Sequence, residues 1–413
     1  MTVHVAGAGL SGLAAALTAA KTGHKVIVHE AAAQAGGRCR SFEDQTIGRV
    51  IDNGTHVLLG ANKAAFDFLD QVGSPEGFAP ASNGQLPFRD LRTGKSWGLD
   101  VAGHGTLALI KAARANKGLL KMCWRTAMAP LRRNASVARV YGGRDRVYQR
   151  LIAPLCTAIM NAAPEETAAR AFLTVMGTLA LGGQEAIRPF VARDNLAQAL
   201  IDPALAAIER LGGEVRFHDP LLVIEPRDGT IIAAQFRSGT AALGPDHALV
   251  LALPPWALDM LPAASPAPAY VARAILCAHY AVPPGMGFPD NARMMGIIGG
   301  TTQWMTLAKS TLSVTVSAAE TLMDRDAGEI AEMLWHEVSA ALGRRGTPVP
   351  PWRVIKEHRA TADVAGQYGP RSQYHNLFIA GGWTDGRYPD TIEAAVASGR
   401  RAADCLAEPK QSN

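Results

Sequence analysis

Hydrophobic positions at the start of the chain predict a strand, a helix and a second strand. The run VHVAGAG is apolar and ends in glycines, residues 11–22 are rich in alanine and leucine, and KVIVH is apolar again. Short apolar runs on either side of a helical stretch are typical of a βαβ unit with parallel strands. Gly23 follows the helix where a left-handed residue often ends one. The first thirty residues therefore predict the beginning of an α/β domain.

The middle of the chain changes pattern twice. Residues 61–200 lack alternation and predict helices, as in LIAPLCTAIMNA. Strand character returns in LLVIE, with a turn of a β-meander at Gly229, and in HALVLALPP. TLSVTVSA alternates apolar and polar residues, which predicts a half-buried antiparallel strand with Leu312, Val314 and Val316 on its inner face.

Two amphipathic helices are predicted near the carboxyl end. DRDAGEIAEMLWHEVSAALG has its apolar residues on one face and stops at Gly343. NLFIAGGWTDGRYPDTIEAAVASG contains a buried strand, a glycine turn and a helix. Asp390 precedes that helix and Glu393 follows three residues later, which predicts a capping box.

A Gly-x-Gly-x-x-Gly array directly follows the first strand. Gly7 permits a tight turn, Gly9 lets a diphosphate approach the backbone, and Gly12 lets the helix pack closely on the strand. The helix beginning at Ser11 is expected to point its free N–H groups at phosphate, and Leu10 and Ser11 at its start are assigned to the cofactor. Glu30 ends the second strand, where a carboxylate accepts ribose hydroxyls and repels a 2′-phosphate. The ligand is therefore NAD or FAD.

A second glycine pair favours FAD. Gly36, Gly37 and Arg38 follow Glu30, and the arginine is predicted to clamp the diphosphate from its other side. This Glu and Gly-Gly-Arg combination resembles the fingerprint of the flavoprotein amine oxidase and carotenoid desaturase superfamily. The resemblance implies bound FAD, and we expect it to be non-covalent because the carboxyl-terminal turn contains no Cys or His.

The same resemblance implies the remaining cofactor contacts. The segment VIDNGTHVLLG, which contains Asp52, would run beside the isoalloxazine ring, the strand after residue 220 would pass the adenine, and the glycine turn with the helix start near residue 391 would hold the ribityl chain and the anionic flavin edge. The residues assigned to FAD on this basis are Gly54, Thr55, Val223, Gly381, Gly382, Thr391 and Ile392.

Several segments narrow the resemblance to one branch, the hydroxysqualene dehydroxylases. They are DNGTHVLLG, LIAPLCTAIMNAAPEETAARAFL, GGTTQWMTLAKSTLSVTVSAAE, EHRATAD and NLFIAGGWTDGRYPDTIEAAVASG. The branch implies hydride transfer from reduced FAD to hydroxysqualene, a C30 isoprenoid, with loss of its hydroxyl and formation of squalene. Gly382 stands where the family turn carries Asp, so we expect weaker FAD binding and a gain of affinity from Gly382→Asp, unless Asp385 or water substitutes.

The implied fold class is α/β: an FAD-binding Rossmann-type domain (βαβ, three-layer) with an inserted α+β substrate domain, as in amine oxidases. Residues 1–60, 205–260 and 351–408 would form the discontinuous FAD domain. Residues 61–204 and 261–350 would form the substrate domain, a helical insertion plus an antiparallel sheet. A chain of 413 residues exceeds the about 250–300 at which one core stops growing, so two cores are expected.

The proton donor and the reaction direction stay open at this point. His56, His279 and Tyr280 are the candidate donors, with a hydrogen-bonded structural role as the alternative for His56. A polyene desaturase of the carotenoid type, another amine-oxidase-type enzyme and a prenyl-lipid carrier without flavin chemistry are the alternative functions. No second nucleotide motif follows a strand, so the electron donor is unidentified.

Composition and charge add a location and a surface. Apolar residues make up 48% and charged residues 19%, which excludes a disordered chain, and the five separated cysteines with no export signal predict a cytoplasmic protein. Residues 111–150 carry eleven Lys or Arg against one acid. At helical spacing, five of them form one stripe, predicted to bind anionic membrane lipid rather than nucleic acid: Lys111, Arg114, Lys117, Lys121 and Arg125.

Overall fold

The structure is a computed structural model. This structure describes residues 1–101, 135–142, 147–261, 269–364, 368–369, 371–385 and 389–407. In chain order, the strands of these residues are β1 (Thr2–Ala6), β2 (Lys25–His29), β3 (Ser41–Asp44), β4 (Arg49–Asp52), β5 (Val57–Leu59), β6 (Phe78–Pro80), β7 (Gln85–Asp90), β8 (Ser96–Asp100), β9 (Pro189–Ala192), β10 (Glu214–Arg216), β11 (Leu221–Arg227), β12 (Thr230–Phe236), β13 (Gly239–Ala242), β14 (His247–Leu251), β15 (Tyr270–Ala281), β16 (Met294–Ile298), β17 (Trp304–Ala308), β18 (Thr311–Ser317), β19 (Trp352–Val364) and β20 (Leu377–Ile379).

The α-helices of the same residues range from one turn to four turns in length. They are α1 (Leu10–Lys21), α2 (Lys63–Val72), α3 (Val137–Tyr141), α4 (Ala153–Met160), α5 (Ala169–Leu181), α6 (Gly183–Ile187), α7 (Asp202–Arg210), α8 (Pro255–Leu258), α9 (Ala327–Ala341) and α10 (Ile392–Ala407). Gly23 follows α1 in a left-handed conformation with φ of 84°, as the sequence predicts.

A five-stranded parallel sheet forms the centre of the nucleotide-binding region. Its strand order is β10-β2-β1-β14-β20, so chain-terminal β1 lies in the middle. Val5 of β1 pairs with Val28 of β2 on one side and with Val250 of β14 on the other. Strands covered on both faces are mostly apolar, and β1 and β2 carry buried valines at positions 3, 5, 26 and 28 beside the buried His4 and His29. The predicted βαβ opening is confirmed.

This sheet is the middle of three layers. On one face lie α1, α7 and α10, whose Leu17 and Val396 share one apolar core with Val3 of β1. On the other face lies the predicted meander β11-β12-β13, whose Ile231 packs against Leu251. The two faces of the parallel sheet are therefore both buried, and the edge formed by the carboxyl ends of its strands stays available for ligands.

A seven-stranded sheet carries the second core. Its order is β19-β15-β18-β17-β16-β7-β8, and α9 packs on one face. The inner residues of β18 are Leu312, Val314 and Val316, each buried as the alternation predicts. Asp326 caps α9 through hydrogen bonds from the N–H groups of Gly328 and Glu329.

The all-helical interpretation of residues 61–200 is wrong. That segment contains β6, β7, β8 and β9 as well as helices, and β7 pairs with β16 of the large sheet, where Phe88 lies opposite Gly296. The reason is that these short strands are stabilised by distant partners, while Pro87 and Asp90 interrupt the local alternation. The helices α3, α4 and α5 do form a separate core around Phe172.

The exact residues at which the two predicted domains begin and end stay a prediction. Phe68 and Leu69 of α2, with Leu200, belong to the core under the parallel sheet although they lie within residues 61–204.

Among the described residues, none of the helices has the length and hydropathy needed to span a bilayer. No group of His, Cys, Asp and Glu within the described ranges is arranged to hold a metal ion.

Candidate functional site

The glycine turn after β1 has three glycines in three different surroundings. Gly7 has φ of 102°, which L side chains rarely adopt. A Cβ on Gly12 would lie 1.9 Å from the carbonyl oxygen of Gly7. The first turn of α1 therefore lies so close to the turn after β1 that position 12 has no room for a side chain. A Cβ on Gly9 would meet no atom within 4 Å. Gly7 and Gly12 are therefore needed for packing, while Gly9 faces open space.

The start of α1 is suited to an anion. Gly9 is the N-cap and provides no side-chain cap, and the first turn contains no acidic residue. The N–H groups of Leu10, Ser11 and Gly12 have no partner within the helix, since the first turn of an α-helix lacks acceptors. Together with the helix dipole, these groups favour a phosphate beside Gly9.

Glu30 connects the end of β2 to this turn. Its Oε2 accepts a hydrogen bond of 2.7 Å from the N–H of Ala8, and its Oε1 accepts one of 2.8 Å from the N–H of Ala32. A carboxylate has about four acceptor positions, so two stay available for the hydroxyls of a ribose. The backbone bonds fix the carboxylate at the place that the sequence predicts.

The second glycine pair lies against the first. The N–H of Gly36 donates to the carbonyl of Ala8 at 2.9 Å, and a Cβ on Gly37 would lie 3.5 Å from the Cα of Gly9. Both Gly36 and Gly37 have positive φ, at 106° and 54°. Two motifs separated along the chain thus form one cradle with no side chain at its base.

Arg38 has a different partner from the one predicted. Its Nη1 lies 2.6 Å from Oδ2 of Asp390 and its Nη2 lies 3.2 Å from Oδ1, while Nη1 also donates to the carbonyl of Ala360 at 2.6 Å. A guanidinium that forms a bidentate ion pair is held by that partner. Arg38 therefore links the cradle to the segment before α10, and its contact with the diphosphate stays a prediction.

The glycine turn after β20 is held by the surrounding chain. Oγ of Ser398 accepts a hydrogen bond of 2.9 Å from the N–H of Gly381. Nε1 of Trp383 donates one of 2.9 Å to the carbonyl of Leu253. A Cβ on Gly382 would lie 2.2 Å from Oδ1 of Asp390. The expected gain of affinity from Gly382→Asp is corrected accordingly, because the place for that side chain is filled. Asp385 pairs with Arg401 at 3.0 Å.

The predicted capping box of the last helix is also wrong. The helix α10 begins at Ile392, and Thr391 caps it through Oγ1, which accepts from the N–H of Ala394 at 3.3 Å. Glu393 instead accepts from the N–H groups of Ala64 and Ala65 at 3.1 and 2.9 Å, at the start of α2. Burial raises the pKa of Glu393. The sequence pattern cannot show that a carboxylate caps a helix far away in the chain.

The segment after β4 brings His56 to the large sheet. Nδ1 of His56 lies 2.8 Å from the carbonyl oxygen of Gly54, and Nε2 lies 3.8 Å from Sγ of Cys39. Burial lowers the pKa of His56, so the ring is neutral near pH 7. A Cβ on Gly54 would contact Cys277 at 3.7 Å, so Gly54 is in ordinary packing distance of β15.

The two candidates on β15 point in opposite directions. Tyr280 is fully buried against α9, where its hydroxyl donates to the carbonyl of Ala331 at 2.7 Å. Neighbouring residues of a strand face opposite sides, and His279 faces the other side with Nδ1 2.8 Å from Oγ of Ser313. Burial lowers the pKa of His279 to about 4. Tyr280 is therefore corrected to a structural residue of the second core.

A cavity of about 420 Å³ adjoins this side of the sheet. Thr55, His56 and His279 contribute to its lining, together with Asp52 and Thr306. Asp52 accepts hydrogen bonds from the hydroxyl of Ser41 at 2.6 Å and from the N–H of Leu196 at 2.9 Å. The structure thus brings both candidate histidines together and leaves Tyr280 outside.

Val223 stays a prediction as an adenine contact. It lies on β11, opposite Gln235, and is 46% exposed. The strand follows Asp219, whose N–H donates to the carbonyl of Glu30 at 2.8 Å. The meander is therefore adjacent to the end of β2, on the side where Glu30 would hold the ribose.

Sequence reasoning missed two contacts that shape the site. Gly399 of α10 lies against α1, and a Cβ there would come within 2.1 Å of the carbonyl of Ser11. The sequence pattern predicts Asp390 as a helix cap, whereas the structure shows it as the partner of Arg38. The small-residue run EAAVASG is a signal for close helix packing, but no local pattern points to the ion pair.

The residues present fit FAD. A base without side chains at Gly9 and Gly37, an uncapped helix start at Leu10, and a fixed carboxylate at Glu30 match the diphosphate and ribose of a dinucleotide. The Arg38–Asp390 ion pair joins this cradle to the segment between the Gly382 turn and α10. Ligand sites in such sheets lie at the carboxyl ends of the strands, where the Gly7 turn and Glu30 follow β1 and β2.

Comparison with known proteins identifies the family. The family model described as "Flavin containing amine oxidoreductase" matches residues 10–407. The chain is 38% identical to hydroxysqualene dehydroxylase of Rhodopseudomonas palustris over 98% of both chains, and 34% identical to that of Sinorhizobium fredii over 97% of both. A putrescine oxidase variant has the same fold, with a TM-score of 0.74 at 15% identity over 98% of this chain and 99% of that one. The chain therefore belongs to the flavin-containing amine oxidoreductases, which use FAD, and within them to the hydroxysqualene dehydroxylases.

Proposed function

We propose that this chain removes the hydroxyl group of hydroxysqualene and replaces it with hydrogen, so that squalene is the product. The observation that carries the proposal is similarity over the full length to two relatives named for this substrate, at 38% and 34% identity. When bound, reduced FAD supplies the hydride. The glycines at 9 and 37 and the carboxylate of Glu30 would hold the cofactor, which the open space at Gly9 and the fixed carboxylate support.

His56 is the proposed proton donor to the departing hydroxyl. Breaking an allylic C–O bond needs a proton within hydrogen-bond reach, and His56 lies in the segment that resembles the flavin-facing segment of the superfamily. The structural role is the competing interpretation, since Gly54 and Cys39 face its two ring nitrogens. Because burial lowers the pKa of His56, a proton-donating role requires turnover to rise as pH falls below neutrality.

The pair His56→Gln and His279→Gln tests this role. Both rings line the same cavity and burial lowers the pKa of both, so the two variants change comparable groups. We expect His56→Gln to lower turnover about a hundredfold and to remove the acid rise, while FAD binding stays unchanged. A loss of the acid rise in His279→Gln alone would transfer the role to His279. Unchanged turnover in both variants would leave both histidines structural.

Product analysis tests the proposed reaction itself. The protein is photoreduced without oxygen, incubated with hydroxysqualene, and extracted for mass spectrometry; squalene is expected. A more unsaturated polyene formed by oxidised protein would identify a desaturase instead. Protein that stays colourless after FAD addition would favour the prenyl-lipid carrier. Gly9→Asp is the matched control, because the substitution meets no protein atom yet puts a carboxylate where the phosphate would lie.

We also propose peripheral contact with anionic lipid, which would give access to a water-insoluble substrate. The basic stripe of Lys111, Arg114, Lys117, Lys121 and Arg125 supports this by its charge and helical spacing in the sequence. These five residues lie outside the described residues. The electron donor that reduces FAD is not identified.

A further inference from the structure

The carboxylate of Asp390 fills the space beside Gly382. A Cβ added to Gly382 would lie 2.2 Å from Oδ1 of Asp390 and 3.3 Å from the carbonyl oxygen of Thr391. The Asp390 side chain is only 2% exposed. A side chain at position 382 is thus excluded by a buried carboxylate that comes from the segment leading into α10.

Arg38 holds this carboxylate in place from the opposite side. Besides the two contacts to Arg38 at 2.6 and 3.2 Å, Oδ2 of Asp390 accepts from the N–H of Ala362 at 3.2 Å. Arg38 also donates to the carbonyl of Ala360 on β19. The ion pair therefore joins three parts of the cofactor cradle: the Gly-Gly-Arg segment, β19, and the turn before α10.

We propose that Gly382 and Asp390 form a matched pair, in which Asp390 is the positioning residue that supplies the carboxylate lying between position 382 and Arg38 in the FAD cradle. Acids at both positions would bring two carboxylates into contact in a buried space, where like charges repel strongly. Acids at neither position would leave the partly buried Arg38 without its partner, which is costly for a desolvated charge. One carboxylate, from one position or the other, satisfies Arg38. The inference rests on FAD lying in this cradle and is independent of the substrate.

The test is a swap of the carboxylate between the two positions. Apoprotein is prepared as the parent, Gly382→Asp, Asp390→Gly and the double variant, and the FAD dissociation constant is measured for each by equilibrium dialysis. We expect each single variant to bind FAD tenfold to a hundredfold more weakly, about the effect of one charged hydrogen bond. The double variant should recover most of the parent's affinity, because it again has one carboxylate beside Arg38.

Two outcomes would overturn the proposal. In the first, the double variant binds FAD more weakly than either single variant, so that the losses add. In the second, the single variants lower the thermal midpoint of the apoprotein but bind FAD as the parent does, which would make the pair structural only. The flavin absorption spectrum of each loaded variant supplies a further readout, since a displaced turn changes the surroundings of the ring.

Asp90→Asn is the matched control. Asp90 is likewise 2% exposed and contacts Arg92 at 3.4 Å, but it lies at the end of β7 in the large sheet. The variant should lower the thermal midpoint without changing the FAD dissociation constant. Equal weakening of FAD binding in this variant would show a general effect of lost buried ion pairs and would also overturn the proposal. Parent protein that binds FAD but forms no squalene would contradict the proposed function and leave this pair untouched.

Discussion

The carboxylate of Asp219 lies 2.7 Å from Nδ1 of His29, in the interior between the parallel sheet and the meander. Nε2 of His29 lies 3.1 Å from Nδ1 of His4, so one carboxylate supports two stacked histidines on adjacent strands. Asp219 also accepts from the N–H and the hydroxyl of Ser238, at 2.7 and 2.8 Å. This chain of contacts fixes the tautomers of two buried rings and ties β1 and β2 to the connections that precede β11 and β13.

Asp219→Asn should reduce the free energy of unfolding by about 2–4 kcal/mol, because it leaves a buried ring nitrogen and two donors with a weaker acceptor. Urea denaturation of the apoprotein measures the change. Glu214→Gln is the comparison, since its ion pair with Arg216 is about half exposed, and it should cost less than about 1 kcal/mol. Equal losses in the two variants would contradict the importance of the buried chain.

Stability should fall in mild acid because of buried histidines. Burial, and next the neighbouring His29, lower the pKa of His4 from 6.5 to about 4, and burial lowers the pKa of His279 to about 4. A lowered folded-state pKa contributes stability above the unfolded value, and this contribution is lost as pH falls from about 6.5 toward 4. Each group can account for about 3 kcal/mol at most.

Thermal midpoints of the apoprotein between pH 7.5 and 4.5 provide the measurement for the histidines. The parent should lose stability steadily below pH 6.5, and His279→Gln should lose less over the same interval. A parallel decline in both proteins would assign the acid sensitivity to other groups. The thermal midpoint at pH 7.5 serves as the internal reference, because the rings of His4 and His279 are neutral there.

Glu393→Ala should lower the free energy of unfolding by about 1–2 kcal/mol, because the first turn of α2 loses the acceptor for two N–H groups. Hydrogen exchange of α2 locates the effect. Asp404→Ala, on the exposed face of α10, the helix that also carries Glu393, is the control and should change stability by less than about 0.5 kcal/mol. Faster exchange throughout the protein, rather than in α2, would argue against a capping role.

The basic stripe should direct binding to anionic vesicles. Replacement of its five residues by Gln should abolish sedimentation with phosphatidylglycerol vesicles while FAD binding persists, because each exposed cation contributes up to about 1 kcal/mol. The parent should be released as salt is raised, since screening weakens such contacts. Sedimentation of the variant at the parent's level, or no binding of the parent, would show that the lipid substrate arrives by another route.

Local rules explain why much of this fold can be predicted from the sequence. The turn at Gly7 needs positive φ, and the approach of Gly12 to its carbonyl needs the absence of a Cβ, so both requirements are visible as glycines. The strand, helix and strand around them follow from apolar runs and a helix stop at Gly23. The alternation in β18 likewise shows which face is buried.

The partners of charged and polar side chains are decided only in the tertiary structure. Arg38 and Asp390 are distant in sequence, and their pairing depends on β19 and α10 meeting beside the glycine cradle. Alternation places His279 and Tyr280 on opposite faces, but only the packing of α9 shows that the Tyr280 face is the core. The backbone conformation of a turn and the alternation of buried and exposed residues along a strand depend on a few neighbouring residues. A hydrogen-bond partner depends on which distant elements pack together in the fold.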